Sequence, residues 1–185
     1  MRQEIDKKLV RVRFRRALKT YNRFASVQKT MAERLTELIV SHAGGAFRHV
    51  FEIGCGTGLL TARLADTLHW EKYTANDLVP ECRICIQEID PRIEFLPGDV
   101  ESAVLPSSPA DLIVSNAVLQ WASDLPLFLA RLSESLAPRG TLACATFTAG
   151  TAREMAEAGG VSLAYPTAPQ LEDACEPYVR LEHHE

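Results

Sequence analysis

Apolar residues recur at helical spacing through the first 42 residues: Ile5, Leu9 and Val12, with Arg16 continuing that face, and later Met31, Leu35, Leu38 and Ile39. The spacing predicts helix over most of this stretch, with a break near Tyr21–Ser26. Ser41-His42-Ala43-Gly44-Gly45 supplies the stop, because glycines just past the last turn end helices readily. From there strand and helix patterns alternate. Strands are predicted over His49–Ile53, Tyr73–Asn76, Ile93–Leu96, Asp111–Ser115 and Thr141–Phe147, and helices over Leu59–Leu68, Pro80–Ile89 and Leu125–Leu136. Pro138-Arg139-Gly140 reads as the turn that feeds the last strand. After Thr151 the pattern weakens to a short helix over Arg153–Ala158, another over Gln170–Glu176 and an edge strand over Tyr178–His183.

Strands that alternate with helices of about ten residues imply crossover connections, hence an α/β fold with a mostly parallel sheet and helices on both faces. At 185 residues, without an internal repeat or a long linker, the chain reads as one domain. Residues 1–42 would form an N-terminal helical arm or lid, and residues 43–185 the ligand-binding body.

Composition narrows the class further. With 46% hydrophobic and 24% charged residues the chain is neither disordered nor collagen-like. No apolar run approaches the ~20 residues that span a bilayer. The polar start Met1-Arg2-Gln3-Glu4 lacks a secretory core, so a cytoplasmic location and no membrane partner are expected. Five cysteines stand at 55, 82, 85, 144 and 175. Cys82-Arg83-Ile84-Cys85 matches CxxC, but a zinc ribbon needs a second such pair; the plain alternative is two positions on one helix. No metal site is expected. The net charge of −4 is divided unevenly, since residues 1–24 hold nine Lys/Arg against Glu4 and Asp6, leaving 11 basic and 22 acidic groups for the rest. A basic arm on an acidic body points to an anionic partner, although a charge run is also what a solvated helix face looks like.

The most informative segment is Val50-Phe51-Glu52-Ile53-Gly54-Cys55-Gly56-Thr57-Gly58. A buried strand enters a turn with glycine at every second position, and a helix follows. Backbone N–H groups can then approach a ligand closely beside a helix N-terminus. Position 59 is Leu, so the spacing is GxGxG and differs from the GxGxxG dinucleotide fingerprint; no Gly-Lys-Ser/Thr follows, which excludes a P-loop. Asp77 ends the next strand run, where a carboxylate could accept from ribose hydroxyls, and Asp99 in Gly98-Asp99-Val100 follows the third. Each has a plain structural use as well: the glycines as a tight turn, Asp77 as a cap before Pro80, Asp99 as a turn residue. In an open parallel sheet all three turns lie at the carboxyl ends of neighbouring strands, beside the crevice that binds ligands.

These three elements resemble the cofactor signatures of class I S-adenosylmethionine-dependent methyltransferases over residues 48–147. The resemblance implies a Rossmann-like fold and cofactor contacts at Glu52, Gly54, Cys55, Gly56 and Gly58, at Asp77 and Leu78, at Asp99 and Val100, and at Ser115. In that family the glycine turn holds the methionine moiety, the acid after the second strand the ribose, and the Asp after the third the adenine. The family's sheet usually has seven strands, so the C-terminal strands are expected to be missing or truncated here.

Two further segments are similar to the biotin-pathway malonyl-[acyl carrier protein] O-methyltransferases: Phe14-Arg15-Arg16-Ala17-x-x-Thr20-Tyr21 with Gln28, and Ser115-Asn116-Ala117-x-x-Gln120-Trp121-x-x-Asp124-Leu125 with Thr146-Phe147 later. This resemblance implies S-adenosylmethionine as methyl donor, malonyl-acyl carrier protein or a malonyl thioester as acceptor, and Tyr21, Asn116, Gln120 and Trp121 around the acceptor. Trp121 could equally be a core aromatic and Tyr21 a packing residue. The Asn-x-x-x-Gln-Trp element is also similar to trans-aconitate methyltransferases, which esterify a small acid. A nucleic-acid methyltransferase would use the basic arm on phosphates, but Ser115-Asn116-Ala117-Val118 stands where such enzymes carry an Asn/Asp-Pro-Pro-aromatic turn. A non-catalytic cofactor-binding subunit is the remaining alternative. No Ser/His/Asp or Cys/His set is present, and a carboxylate acceptor needs none, because aliphatic carboxyls titrate near pH ~4.

Overall fold

The computed structural model describes residues 5–151 and 165–184. Two helices come first, α1 (Lys7–Phe24) and α2 (Ser26–Ala43). Then follow β1 (Ala46–Ile53), α3 (Leu59–Thr67), β2 (His69–Asp77), α4 (Cys82–Ile89), β3 (Glu94–Pro97) and β4 (Ala110–Asn116). A 3-10 turn at Leu119–Trp121 leads to α5 (Leu125–Glu134), β5 (Leu136–Ala145) and α6 (Ala168–Cys175). Local chemistry sets several of these ends. The Asp6 carboxylate accepts the Leu9 N–H at 3.0 Å to start α1. Asp124 does the same for Leu127 at the start of α5, with Pro126 in the first turn.

The five strands form one parallel sheet in the order β3-β2-β1-β4-β5. β1 therefore lies at the centre, and the chain reverses its direction of growth between β1 and β4, the position at which open α/β sheets bind ligands. Alternate residues of β1 serve opposite layers. Val50 packs with Leu35 and Ile39 of α2, Leu60 and Leu64 of α3 and Ile86 of α4, whereas Phe51 and Ile53 pack with Phe128 and Leu132 of α5. A strand buried on both faces reads as a continuous apolar run, which is why period-two alternation is weak in this segment.

The structure departs from the sequence expectations in four places. The inner face of α1 consists of Val10, Phe14, Leu18 and Tyr21, while Leu9 and Val12, expected to pack, are 45% and 43% exposed. Both stripes have helical spacing, but the aromatic stripe offers more apolar surface to bury. β5 starts at Leu136, ahead of the expected Thr141, and α5 accordingly ends at Glu134. Pro138-Arg139-Gly140 forms an irregularity inside β5: pairing moves from Ala110 with Leu136 to Leu112 with Thr141, and Arg139 has φ 65°. A Cβ on Gly140 would lie 2.9 Å from the Ala137 carbonyl oxygen of the same strand and 3.0 Å from the Ala110 carbonyl oxygen of β4, so the close approach requires glycine. Tyr178–His183 forms no strand; the Tyr178 and Val179 N–H groups both donate back to the Cys175 carbonyl, extending the turns that end α6. The expected helix over Arg153–Ala158 lies outside the described residues.

His49 joins β1, β2 and the loop before β4. Its buried ring has Nδ1 at 3.1 Å from the Ser108 carbonyl and Nε2 at 3.1 Å from the Thr74 hydroxyl, which matches a neutral ring that donates from Nδ1 and accepts at Nε2. Burial pushes its pKa below 6.5, against the carbonyls of Pro109 and Ser108 that favour the charged ring. A base whose folded pKa is depressed costs stability when the unfolded chain can take up the proton and the folded one resists it, so this stability is lost as pH falls below 6.5. The urea midpoint of the wild type should therefore drop more between about pH 7.5 and about pH 5.5 than that of His49→Gln. Parallel pH slopes would remove His49 from the acid sensitivity.

Candidate active site

The turn after β1 is built from backbone geometry that only glycine adopts cheaply. Gly54, Gly56 and Gly58 have φ of 67°, 54° and 84°. They differ in surroundings: a Cβ on Gly54 would stand 2.3 Å from Cγ2 of Val118, whereas one on Gly56 would meet nothing within 4 Å. Gly56 thus leaves its backbone open to an approaching group.

Asp77 fixes this turn. Its buried carboxylate accepts the Gly56 N–H at 2.8 Å and the Val79 N–H at 2.7 Å, while the Cys55 N–H donates to the Asn76 carbonyl at 2.9 Å. Burial pushes the Asp77 carboxyl up, opposed by the Val79 and Gly56 amides and by the Cys82 thiol. Next to it, Glu52 is fully enclosed and accepts from the Tyr73 hydroxyl at 2.6 Å and the Thr61 hydroxyl at 2.8 Å. Burial pushes the Glu52 carboxyl up to about 7 despite those two donors. Beyond β3, the Gly98 N–H donates to the Asp77 carbonyl at 2.8 Å, so the third turn is hung on the second. Asp99 accepts the Glu101 N–H at 3.1 Å.

A single cavity unites these parts. Glu52, Gly54, Cys55, Gly56, Asp77, Leu78, Asp99 and Val100 all line it, together with Asn116 and Trp121 from the far side and Tyr21 from α1. Three expected residues stand elsewhere. Gly58 sits behind the wall, where a Cβ would meet Cδ1 of Ile89 at 2.2 Å. Ser115 is wholly buried, its hydroxyl without a partner among the described residues. Gln120 is buried outside the lining: its amide donates to the Ala117 carbonyl at 2.7 Å and accepts from the Thr146 hydroxyl at 3.1 Å. That role follows from Ala117, a non-glycine residue with φ 59° directly after β4. Gln120 holds this strained residue from one side and the Ala145 carbonyl, 2.8 Å from the Ala117 N–H, from the other.

Residues the sequence reading left out complete the enclosure. α1 lies over the crevice with Phe14 edge-on to Trp121, centroids 5.6 Å apart, and 6.3 Å from Tyr21. Burial pushes the Tyr21 hydroxyl up, and the nearby Asp77 adds to this. Polar contacts pin the helix at both ends: the Thr57 hydroxyl donates to Asn22 at 2.5 Å, and Lys7 bridges Asp99 at 3.4 Å and Glu101 at 2.5 Å. Asn116 donates to the Gln28 carbonyl at 3.0 Å while its own buried carbonyl oxygen has no partner among the described residues. Cys82 lines the wall beside Asp77, and Cys85 follows on the same helix, so the CxxC residues are helix positions. Among the described residues no group of three or more His, Cys, Asp or Glu is placed to hold a metal, and no helix is long and apolar enough to cross a membrane.

Residues 51–144 match the family described as "Methyltransferase domain". A malonyl-[acyl-carrier protein] O-methyltransferase from Chlorobium luteolum is 42% identical over 94% of the chain and 68% of its own length. Its counterpart from Chlorobium phaeovibrioides is 44% identical over 90% and 66%. Among solved structures, the N-methyltransferase NodS from Bradyrhizobium japonicum WM9, in complex with S-adenosyl-L-homocysteine, superposes with a TM-score of 0.71 at 22% identity, covering 90% of this chain and 84% of that one. The chain thus belongs to the methyltransferases of this fold and, among them, to the malonyl-[acyl-carrier protein] O-methyltransferase family. It spans about two thirds of the length of these curated relatives.

The glycine geometry separates strain from open space. Gly54→Ala should lose roughly 2–5 kcal/mol, about 1–2 from the left-handed backbone and about 1–3 from crowding Val118. Gly56→Ala carries only the backbone cost, about 1–2 kcal/mol. Urea denaturation of both variants checks the ranking, and equal losses would contradict it.

Proposed function

We propose that the protein is an S-adenosylmethionine-dependent carboxyl O-methyltransferase that esterifies the free carboxylate of malonyl-[acyl carrier protein], the step the biotin-pathway family performs. The observation that carries this reading is the meeting, in one cavity at the switch point of the sheet, of the glycine turn, Asp77 and Asp99 with Asn116, Trp121 and Tyr21. The cavity suits the methyl donor: Gly56 opens its backbone to it, the second lone pairs of Asp77 and Asp99 remain for hydroxyl and amine donors, and the Asn116 carbonyl oxygen is an acceptor still lacking a donor. S-adenosylmethionine, when bound, supplies an electrophilic methyl group.

The protein's own share of the chemistry is positioning and exclusion of water. A malonyl carboxylate is ionised at neutral pH, so no side chain has to remove a proton, and orientation by the walls can supply up to roughly 7–11 kcal/mol of the barrier reduction. Trp121 and Tyr21, closed off by Phe14, form an apolar wall beside Asn116. Gln120 acts behind that wall, through Ala117. α1 is the lid of the site, while α2 packs with α3 and the sheet as part of the body beneath it.

The carrier protein is an acidic partner, and α1 presents a basic outer face to it. Arg11, Arg16 and Lys19 are exposed and make no ion pair among the described residues, whereas Arg15 is tied to Glu81 at 2.7 Å. Steering by exposed charges is screened over ~8 Å at physiological salt.

Three measurements test the reading. Asp77→Ala should weaken binding of the methyl donor or its demethylated product by about 10- to 100-fold, because hydrogen bonds to a charged acceptor are worth about 1.5–3 kcal/mol; unchanged calorimetric affinity would take Asp77 out of the site. The rate should plateau above about pH 5, and a profile following a group near neutrality would point to an amine acceptor. Turnover of malonyl-carrier protein should fall as salt rises, while that of a small malonyl thioester changes little; Arg11→Glu/Arg16→Glu should flatten the first slope. Equal slopes for the two substrates in the wild type would return the arm to ordinary surface, and activity on free small acids alone would favour the trans-aconitate type of acceptor.

A further inference from the structure

Glu101 occupies an unusual position between three parts of the site. One carboxylate oxygen accepts the Ser123 N–H at 2.9 Å and the Asp124 N–H at 3.3 Å, in the turn immediately after Trp121. The other is 2.5 Å from Lys7 at the start of α1, and Lys7 also reaches Asp99. The Glu101 backbone N–H in turn donates to Asp99. Both side chains of the ion pair are largely withdrawn from solvent, 24% exposed for Lys7 and 18% for Glu101, so water screens the pair less than an ordinary surface bridge. A route of direct polar contacts thus runs from the lid helix, through one carboxylate, to the loop that carries Trp121. The Phe14–Trp121 contact joins the same two elements from the apolar side.

We propose that Lys7 and Glu101 form a latch that sets the position of the Trp121 loop when α1 is closed, which makes Glu101 a positioning residue for the methyl acceptor. The inference rests on the methyltransferase reading above. With the latch made, one carboxylate holds the two amides of the 123–124 turn and the lid at once, and Trp121 is clamped between that turn and Phe14. With the Lys7 charge removed, α1 loses its anchor at that end, and with the Glu101 charge removed it keeps there only the longer contact with Asp99; in both cases the Asn22–Thr57 contact at the other end stays, so the lid swings rather than detaches. The acceptor wall then loosens while the glycine turn, held by Asp77, stays in place. Glu101→Gln retains one oxygen for the Ser123 and Asp124 amides and replaces the oxygen that faces Lys7 with an NH2 donor, which breaks the latch while leaving the turn an acceptor.

The experiment uses the full chain with S-adenosylmethionine and malonyl-carrier protein, and compares wild type with Lys7→Met, Lys7→Arg, Glu101→Gln and the double variant Lys7→Met/Glu101→Gln. Wild-type binding of S-adenosylhomocysteine and wild-type turnover are measured first, so a failure there falls on the methyltransferase reading and not on the latch. The latch predicts a 3- to 10-fold rise in KM for the carrier-bound acceptor in Lys7→Met and Glu101→Gln, with S-adenosylhomocysteine affinity within about 3-fold of wild type. The double variant should be no worse than Lys7→Met, which already removes both contacts of Lys7, and Lys7→Arg should restore the wild-type KM. In a Trp70→Phe background, where Trp121 is the sole tryptophan, acrylamide quenching should rise in Lys7→Met and return in Lys7→Arg. An unchanged KM, additive losses in the double variant, or a loss of cofactor affinity equal to the loss in KM would each overturn the proposal.

Discussion

Everything in the site hangs on the bonds made by one buried carboxylate. Asp77 gathers the Gly56 and Val79 N–H groups onto its two oxygens, and the backbone carbonyl of the same residue takes the N–H of Gly98. The turns after β1, β2 and β3 are thereby joined into one rim. Burial at that depth disfavours its charge, and the hydrogen bonds from these two amides oppose that cost. Removing the carboxylate would leave two amides without their acceptor, and on the proposed reading the same atoms also hold the ligand.

The rim alone is an open edge of a sheet; α1 makes it a chamber. This helix has no fully buried residue, and isolated it would be marginal in water. Its stability depends on laying Val10, Phe14, Leu18 and Tyr21 across the crevice, on Thr57 at one end and Asp99 and Glu101 at the other. A helix with no buried residue belongs to the low-stability end of a structure. The body beneath it has the opposite character, with Val50, Phe51, Leu112 and Ile113 showing no exposure at the centre of the sheet.

The parts legible in the sequence are those in which one residue type has few alternatives. Glycine at 54, 56 and 58 signals positive φ at a strand-to-helix turn, and acids following two later strands place the rest of the rim. The inner face of α1 was illegible for a definite reason. Two stripes, Ile5-Leu9-Val12 running into α1 and Val10-Phe14-Leu18-Tyr21 within it, share helical spacing, and only the partner surface decides between them. Bulge and turn draw on the same residues, so Pro138-Arg139-Gly140 gave no sign that β5 runs through it. Gln120 shows a further limit: its place behind the wall answers the positive φ of Ala117, which no residue type at 117 announces. The contact of Lys7 with Glu101 joins segments that are adjacent only once the sheet has formed.

The uneven charge of the chain acquires a division of labour in this architecture. The acids of the rim act at short range in a medium of low dielectric, where Glu52 is pushed up to about 7 and Asp77 is also raised by burial. Groups that resist ionisation alone are relieved by a positive neighbour. The bases of α1 act outward over longer distances in water. The inner face of α1 keeps the two sets apart, because Val10, Phe14 and Leu18 are apolar and its one cation, Lys7, is spent on Asp99 and Glu101 at the edge. A helix carrying its positive charge on both faces would neutralise the rim it covers; one stripe of apolar residues lets a basic helix lie over an acidic floor.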